Sequence, residues 1–320
     1  MNAKSLQCRT VDAASTCSVS VDLDGLDCYY GIHGLGPVPD KLRSVVLQRA
    51  LPRFLETLGR RHIHATFFVI GRDARLDGGP IREAAAAGHE IANHTDTHPY
   101  ALLRMPTGDI EREVMRAHDV LSELAGSAPV GFRSPGYTVS RKLLAVLARA
   151  GYRYDSSMFP SWPYYAAKSA VMAWLRLRGR ASASVLGDPR ALLAPPLPYR
   201  PDPARPWRRG DCPVMELPVA VTPGLRLPAI GTVLLAGGGV LRRHVARAMR
   251  RRPFWNLEMH GIELCDAQAD GIPDELVRRQ PDLRVGLDEK RARLDAVLDG
   301  AGATFLTLRE VAERFAPQFP

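Results

Sequence analysis

Short apolar or alternating runs, separated by longer stretches with an apolar residue every third or fourth position, set the rhythm of this chain. Residues 18–23, Ser-Val-Ser-Val-Asp-Leu, alternate with period two and predict a strand running into an acidic pair, Asp22 and Asp24, before Gly25. Residues 40–60 predict a helix that Pro52 restarts after Ala50. Residues 65–70 are almost continuously apolar and stop at Gly71, as in a strand buried on both faces of a parallel sheet. An alanine-rich helix over 81–87, a turn at Gly88 and a short strand leading to His94 come next. Thr107 is the expected cap of a helix carrying Ile110, Val114, Ala117, Leu121 and Leu124 at helical spacing, with Asp109 and Glu111 in its first turn.

The alternation continues with a strand over 130–132 that delivers Arg133. A helix follows, capped by Ser140, running to Ala150 and stopped by Gly151, and then a strand over 152–155. Beyond a proline-rich segment, strands are predicted at 214–217, 255–259 (ending at His260) and 303–306, and helices at 240–250, 283–298 and 308–315. Strand–helix alternation repeated about seven times predicts an α/β fold: a distorted, incomplete or nearly closed (β/α) barrel of about seven strands with a basic, Pro-rich insertion. Asp22, Asp24, His94, His98, Arg133, Asp155 and His260 all fall at or just beyond carboxyl ends of predicted strands, which a barrel gathers onto one face.

At 320 residues the chain suffices for one large domain or two smaller ones. The pattern favours an N-terminal arm, 1–16, and a single domain, 17–320, with an insertion over 161–213. Hydrophobic content of 46% and charged content of 24% belong to a soluble globular protein. No apolar run approaches the ~20 residues of a membrane span, and the first residues lack an apolar core, so no signal peptide is expected. Cys8, Cys17, Cys28, Cys212 and Cys265 are odd in number and form no CxxC pair, which points to reduced thiols and a cytoplasmic setting. The net charge of +9 is concentrated: between Ser161 and Met215 nine Lys and Arg stand against three Asp. The basicity therefore belongs to the insertion. With no helix-turn-helix, RRM or zinc-finger signature, nucleic acid is not the expected partner.

Candidate chemistry centres on His94 and His98. Four residues apart, on a turn of helix, both imidazoles would reach one metal ion. Imidazole suits zinc and its first-row neighbours, and a catalytic site needs only three protein ligands. Singly, each of the acids, Arg133 and His260 has an ordinary structural explanation as a cap, an ion pair or a core histidine. Their joint placement is what points to catalysis.

Asp22-Leu23-Asp24, Ala65-Thr66-Phe67-Phe68, Gly88-His89-Glu90-Ile91-Ala92-Asn93-His94-Thr95-Asp96-Thr97-His98-Pro99, Phe132-Arg133-Ser134-Pro135-Gly136-Tyr137 and Leu257-Glu258-Met259-His260 resemble, in order, the successive motifs of the polysaccharide deacetylase family, the NodB-homology or carbohydrate-esterase-4 group. The resemblance covers about residues 17–160 and 212–315. The first motif departs from the usual Thr-Phe-Asp-Asp-Gly by placing Leu23 between its acids. That form is shared by a cytoplasmic peptidoglycan deacetylase-like branch and by lipid-linked aminoarabinose deformylases. The resemblance implies that Asp24, His94 and His98 hold one divalent ion, zinc first, with cobalt, nickel or manganese as alternatives. It implies that Asp22 is the general base, aimed by Arg133, and that His260 is the acid protonating the departing amine. Asp155 would hydrogen-bond His260 and set its tautomer. The backbone N–H of Gly136 or Tyr137, with Pro135 fixing the turn, would bind the substrate oxygen. His89 is expected to be a structural turn residue.

The activity so implied is metal-dependent removal of an N-acyl group, acetyl first, from an amino sugar of a polysaccharide, glycolipid or small precursor. The alternatives are a deformylase of a lipid-linked amino sugar and an inactive carbohydrate-binding member of the fold. Residues 164–180 leave two roles open. As a helix they would place Tyr164, Ala167, Val171, Trp174 and Leu175 on one side, with Lys168 and the arginines flanking. Such a segment fits a lid packed on the barrel, and it fits a basic helix resting peripherally on an anionic membrane at its cytoplasmic face.

Overall fold

Strand β1 (Ser15–Asp22) sets the geometry. Cys17, Val19 and Val21 join the main apolar cluster, while Ser18, Ser20 and Asp22 are equally buried on the opposite face. A strand covered on both sides belongs in the middle of a sheet with helices outside and side chains filling the inside. The computed structural model describes residues 15–180 and 182–318. After β1 come α1 (Leu26–His33), α2 (Leu51–Gly59), β2 (Thr66–Val69), α3 (Gly71–Leu76), α4 (Gly79–Ala86), β3 (Glu90–Asn93), α5 (Thr107–Ala125) and β4 (Gly131–Phe132). They are followed by α6 (Arg141–Arg149), β5 (Tyr154–Asp155), α7 (Trp162–Leu177), β6 (Met215–Glu216) and α8 (Gly239–Met249). The chain closes with β7 (Phe254–His260), α9 (Asp274–Val277), α10 (Leu287–Asp299), β8 (Ala303–Phe305) and α11 (Leu308–Phe315).

The strands pair in the order β6-β5-β4-β3-β2-β1-β7, all parallel. β7 matches β1 from Thr16 to Asp22 along one edge. The other edge is shared: β8 pairs with Ser15–Cys17, and β2 takes over from Ser20. Between β6 and β7 there is no ladder. Instead Ala220 N–H donates to Asn256 O and the Asn256 amide donates to Leu217 O. The sheet is thus an incomplete, curled (β/α) barrel, as its alternation predicts.

The barrel interior is layered. At the amino ends of the strands, α11 closes it with Leu308, Val311 and Ala312 packed on Phe68, Tyr154, Met215, Leu217 and Phe254. Above this plug the Arg133 guanidinium lies 4.1 Å from the Phe68 ring centroid and bonds to Ser20, Ser156 and Asp22. Ser20 and Ser156 in turn bond to Asn256. The carboxyl ends of β1 and β7 then present Asp22 and His260 in register, and those of β5 and β6 present Asp155 and Glu216.

Several local expectations change. Residues 40–60 break into a 3₁₀ turn, Asp40–Leu42, a π turn, Val46–Ala50, and α2. The cap of α5 is Pro106, and Thr107 makes no capping bond; the proline's extended ψ and missing N–H suit the position before a first turn. Ser140 does cap α6, accepting from Leu143 N–H. The helix expected at 283–298 starts at Leu287, after a separate 3₁₀ turn, Pro281–Arg284. His89 is structural: its Nδ1 accepts from Ala65 N–H, and burial pushes its pKa down to about 4, keeping it neutral. The N-terminal arm lies outside the described residues except for Ser15 and Thr16, which belong to β1. Cys8 lies outside them too, and the other four cysteines are free and buried.

Candidate active site

His94 and His98 come together on a loop, not on a turn of helix. After β3 the chain leaves the sheet with Thr95 at φ 68° and His98 at φ 57°, left-handed conformations that cost energy for non-glycine residues. Side chains hold it there. Asn93 Oδ1 accepts from Thr95 N–H, Thr95 Oγ1 accepts from His98 N–H, and the Glu113 carboxylate of α5 accepts from Asp96 and Thr97 N–H. With its backbone groups satisfied this way, the loop has no need of a helix, and the i, i+4 relation survives only as proximity, with ring centroids 4.9 Å apart. Gly71 permits the close packing beneath, since a Cβ there would stand 2.6 Å from the Asp96 carboxylate.

Both rings aim Nε2 at one oxygen, Asp24 Oδ1, at 3.3 Å from His94 and 3.5 Å from His98. Asp24 Oδ1 and His98 Nε2 are buried with no hydrogen-bond partner. Buried orphans of this kind are rare unless an ion or water completes them. His94 Nδ1 lies 2.7 Å from the Arg133 carbonyl. A carbonyl only accepts, so Nδ1 carries the proton and Nε2 keeps its lone pair for the centre. Burial would raise the Asp24 carboxyl, but His98 and His94 hold it below the ordinary carboxylate range. Burial lowers His98 to about 4, leaving it neutral. Burial would also lower His94, yet the Asp22 and Asp24 carboxylates bring it above its usual value. One anionic oxygen and two imidazole nitrogens fit a divalent first-row ion.

Asp22 stands beside this trio, its Oδ2 3.9 Å from His94 Nε2 and its Oδ1 2.5 Å from Arg133 Nη1. Arg133 is fully buried and also donates Nε–H to Ser156 O, so its position is fixed on every side. Next to Asp22 on β7, His260 Nδ1 lies 3.0 Å from Glu258 Oε1, and its Nε2 lies 3.5 Å from the Tyr137 hydroxyl. Burial would lower the His260 pKa, but Glu258, then Asp22 and Asp24, raise it well above its ordinary value.

Two expected residues have different neighbours. Asp155 does not reach His260; it accepts from the Ser157 hydroxyl and stands beside Glu216 of the neighbouring strand. Burial raises Asp155 to about 7 and pushes Glu216 upward as well. Asp155 ends β5, separated from β1 by three strands along the sheet, whereas Glu258 is two residues before His260 on the same strand and therefore on the same face. Gly136 and Tyr137 do form a tight turn, at φ 67° and 59°. The Tyr137 N–H, however, donates to Ser134 O, and it is the Tyr137 hydroxyl that faces the site.

Sequence reasoning missed Glu258 and Cys28. For Glu258 the signal was there, as period-two spacing from His260. Cys28, whose Sγ lies 3.5 Å from His98 Nδ1, gave none, because it reaches the loop only through the packing of α1. Helix α7 forms one wall: Tyr165 donates to Tyr137 O, Lys168 Nζ lies 3.4 Å from Gly136 O, and the Tyr164 ring meets the Tyr137 ring edge-on at 5.6 Å. Burial lowers the Lys168 pKa to about 8.

Residues 40–154 match the model of the polysaccharide deacetylase family. A peptidoglycan deacetylase of Helicobacter pylori is 26% identical over 45% of this chain and 50% of its own length. A chitooligosaccharide deacetylase of Sinorhizobium fredii is 39% identical over 31% of this chain and 46% of its own. The matched stretch thus spans half or less of these curated relatives. Among solved structures, a Mycobacterium smegmatis protein provisionally named a polysaccharide deacetylase superposes over 96% of this chain and 93% of its own, with a TM-score of 0.61 and 21% identity. Puue allantoinase covers 96% and 91%, with a TM-score of 0.56 and 16% identity. At such identities the structures speak for the fold alone; the stretch that the family model matches contains the His94 and His98 loop and Arg133. What the chain shares with the polysaccharide deacetylases is this matched stretch together with the fold.

Proposed function

We propose that this protein is a metal-dependent amide hydrolase that removes an N-acyl group, acetyl first, from an amino sugar. The observation that carries this is the convergence of Asp24, His94 and His98 on one point with two orphaned polar atoms, directly beside a charged pair, Asp22–Arg133, and a second, His260–Glu258. A mere binding site has no use for both a base and an acid. The relatives named for peptidoglycan and chitooligosaccharides favour an N-acetylated amino-sugar polymer or oligomer as substrate.

Asp24, His94 and His98 would hold the ion, zinc first, which when bound would polarise the amide and lower the pKa of the attacking water. Asp22, unable to rotate away from Arg133, accepts the proton of that water. His260 keeps its proton through Glu258 and gives it to the departing nitrogen. The Tyr137 hydroxyl fixes the side of the ring that faces the substrate. The apolar plug of α11 and Phe68 closes the barrel below, so the charged groups act in a low-dielectric pocket.

The test is acetate and formate release by zinc-loaded protein from a panel of N-acetylglucosamine oligomers, peptidoglycan fragments and N-formyl amino sugars, with Asp22→Asn alongside. Acetate release that disappears in Asp22→Asn is the expected outcome. Formate release alone would replace acetyl by formyl, and no release from any N-acyl sugar would overturn the hydrolase assignment.

A further inference from the structure

Helix α7 is amphipathic the wrong way round. Its inward positions carry its polar and aromatic side chains: Tyr164, Tyr165, Lys168 and Ser169, with Met172 and the buried Leu175. Its exposed positions are Trp162, Ala166, Ala167, Ala170, Val171, Ala173, Trp174 and Leu177, apolar throughout, with Arg176 the sole exception, in the last turn. Of the face expected from sequence, Tyr164 and Leu175 turn in while Ala167, Val171 and Trp174 turn out. A helix on a water-facing surface presents charge there. This one exposes 53% of Trp162, 47% of Val171, 48% of Trp174 and 87% of Leu177.

The apolar area continues past the helix. Ser161 donates to Arg226 O and the Arg226 guanidinium donates to Leu192 O, which brings the exposed Leu225 and Leu193 to the amino end of α7. At the other end stand Arg176, Arg178 and Arg180. Arg178 lies over the Trp174 ring at 5.1 Å, and no acidic side chain among the described residues pairs with any of the three. Arg190 and Arg205, elsewhere in the insertion, do pair with Asp188 and Asp202.

We infer that this outward face of α7 docks on the surface of a bilayer containing anionic lipid. Two tryptophans and aliphatic side chains enter the headgroup boundary, and the three unpaired arginines meet lipid phosphates. The unmatched charge favours this occupant over a second protein. An exposed apolar face alone would suit either, but three cations without protein counter-charges complement an anionic surface. The polar side of the same helix walls the candidate active site at Gly136 and Tyr137, so docking would hold the cleft beside the bilayer. Action on a sugar carried at that surface follows, and that step rests on the hydrolase assignment above.

Flotation with vesicles of phosphatidylcholine alone and of phosphatidylcholine with phosphatidylglycerol, at low and high salt, tests the docking without any sugar, so its failure is distinct from failure of the hydrolase assignment. The full chain should float with anionic vesicles at low salt, with a blue shift of tryptophan emission, and be released by high salt. Trp162→Ser/Trp174→Ser/Leu177→Ser should abolish flotation and blue shift while keeping the circular dichroism of the parent. Arg176→Gln/Arg178→Gln/Arg180→Gln should weaken partitioning on the order of a hundredfold, at roughly fivefold per cation. Protein that stays soluble on anionic vesicles at low salt overturns the inference. So does flotation that the serine variant does not change, or a dimer in solution that the serine variant converts to monomer, since a second copy would then cover this face.

Discussion

Arg133 joins the fold to the chemistry. Its guanidinium is wholly buried, held by Ser20, Ser156 and Asp22, and it lies over the Phe68 ring. Arg133→Leu would leave the Asp22 carboxylate buried and unpaired, a loss of about 3–5 kcal/mol in unfolding measurements. The two acids of the first motif separate by partner. Asp24→Asn should lose bound metal and activity together, whereas Asp22→Asn should retain one metal per chain by elemental analysis while turnover falls by roughly two to four orders of magnitude. Equal metal loss in both would reverse the assignment. Glu258 should govern the alkaline limb of the pH profile. With His260 as the proposed acid, activity should persist up to its raised pKa and fall above it. Glu258→Gln removes the charge that raises that pKa, and the limb should move to lower pH, with zinc content unchanged. A limb that stays in place would detach Glu258 from the acid. Asp155→Asn, which touches Ser157 and Glu216, should leave that limb where it is.

Among elements, the loop between β3 and α5 is built by side chains that accept its backbone N–H groups. Glu113, on α5, serves Asp96 and Thr97 and makes no hydrogen bond or ion pair with Asp24, His94 or His98. Glu113→Ala should therefore act through position: weaker zinc binding in competition titrations, with hydrogen bonds of about 1.5–3 kcal/mol at stake, and little change in the pH profile. Unaltered zinc affinity would mean that Asn93 and Thr95 suffice to hold the loop. The Ser140 cap of α6 offers a control, since Ser140→Ala should cost about 1 kcal/mol of stability and leave zinc binding alone.

For the whole molecule, an ion held by Asp24, His94 and His98 would link binding to stability, because the three side chains converge only in the folded barrel. Asp24 follows β1, and His94 and His98 follow β3, so the unfolded chain presents no such site. Zinc at a hundred times its dissociation constant should stabilise by about 2.7 kcal/mol and raise the melting temperature. His94→Ala/His98→Ala should abolish that rise, and a rise that persists in the double variant would place the ion elsewhere.

What the sequence determined by itself was local and periodic. The order of strands and helices, the parallel sheet and the gathering of Asp22, Asp24, His94, His98, Arg133 and His260 at strand ends were legible, because alternation and spacing are properties of the chain. The tertiary structure decided what depends on neighbours distant in sequence. The alternation over 18–23 does not say which side Ser18, Ser20 and Asp22 face; they line the barrel, because β2 and β7 close around them. His260 takes Glu258 rather than Asp155 as its partner because β5 and β7 stand apart in the strand order. The histidine pair sits on a loop because Asn93, Thr95 and Glu113 satisfy backbone groups that a helix would otherwise pair. Finally, the spacing of α7 predicts a helix with two faces, but only packing chooses which one turns inward: Tyr137 and Gly136 offer partners to Tyr165 and Lys168, so the polar side is buried and the apolar side left in the open.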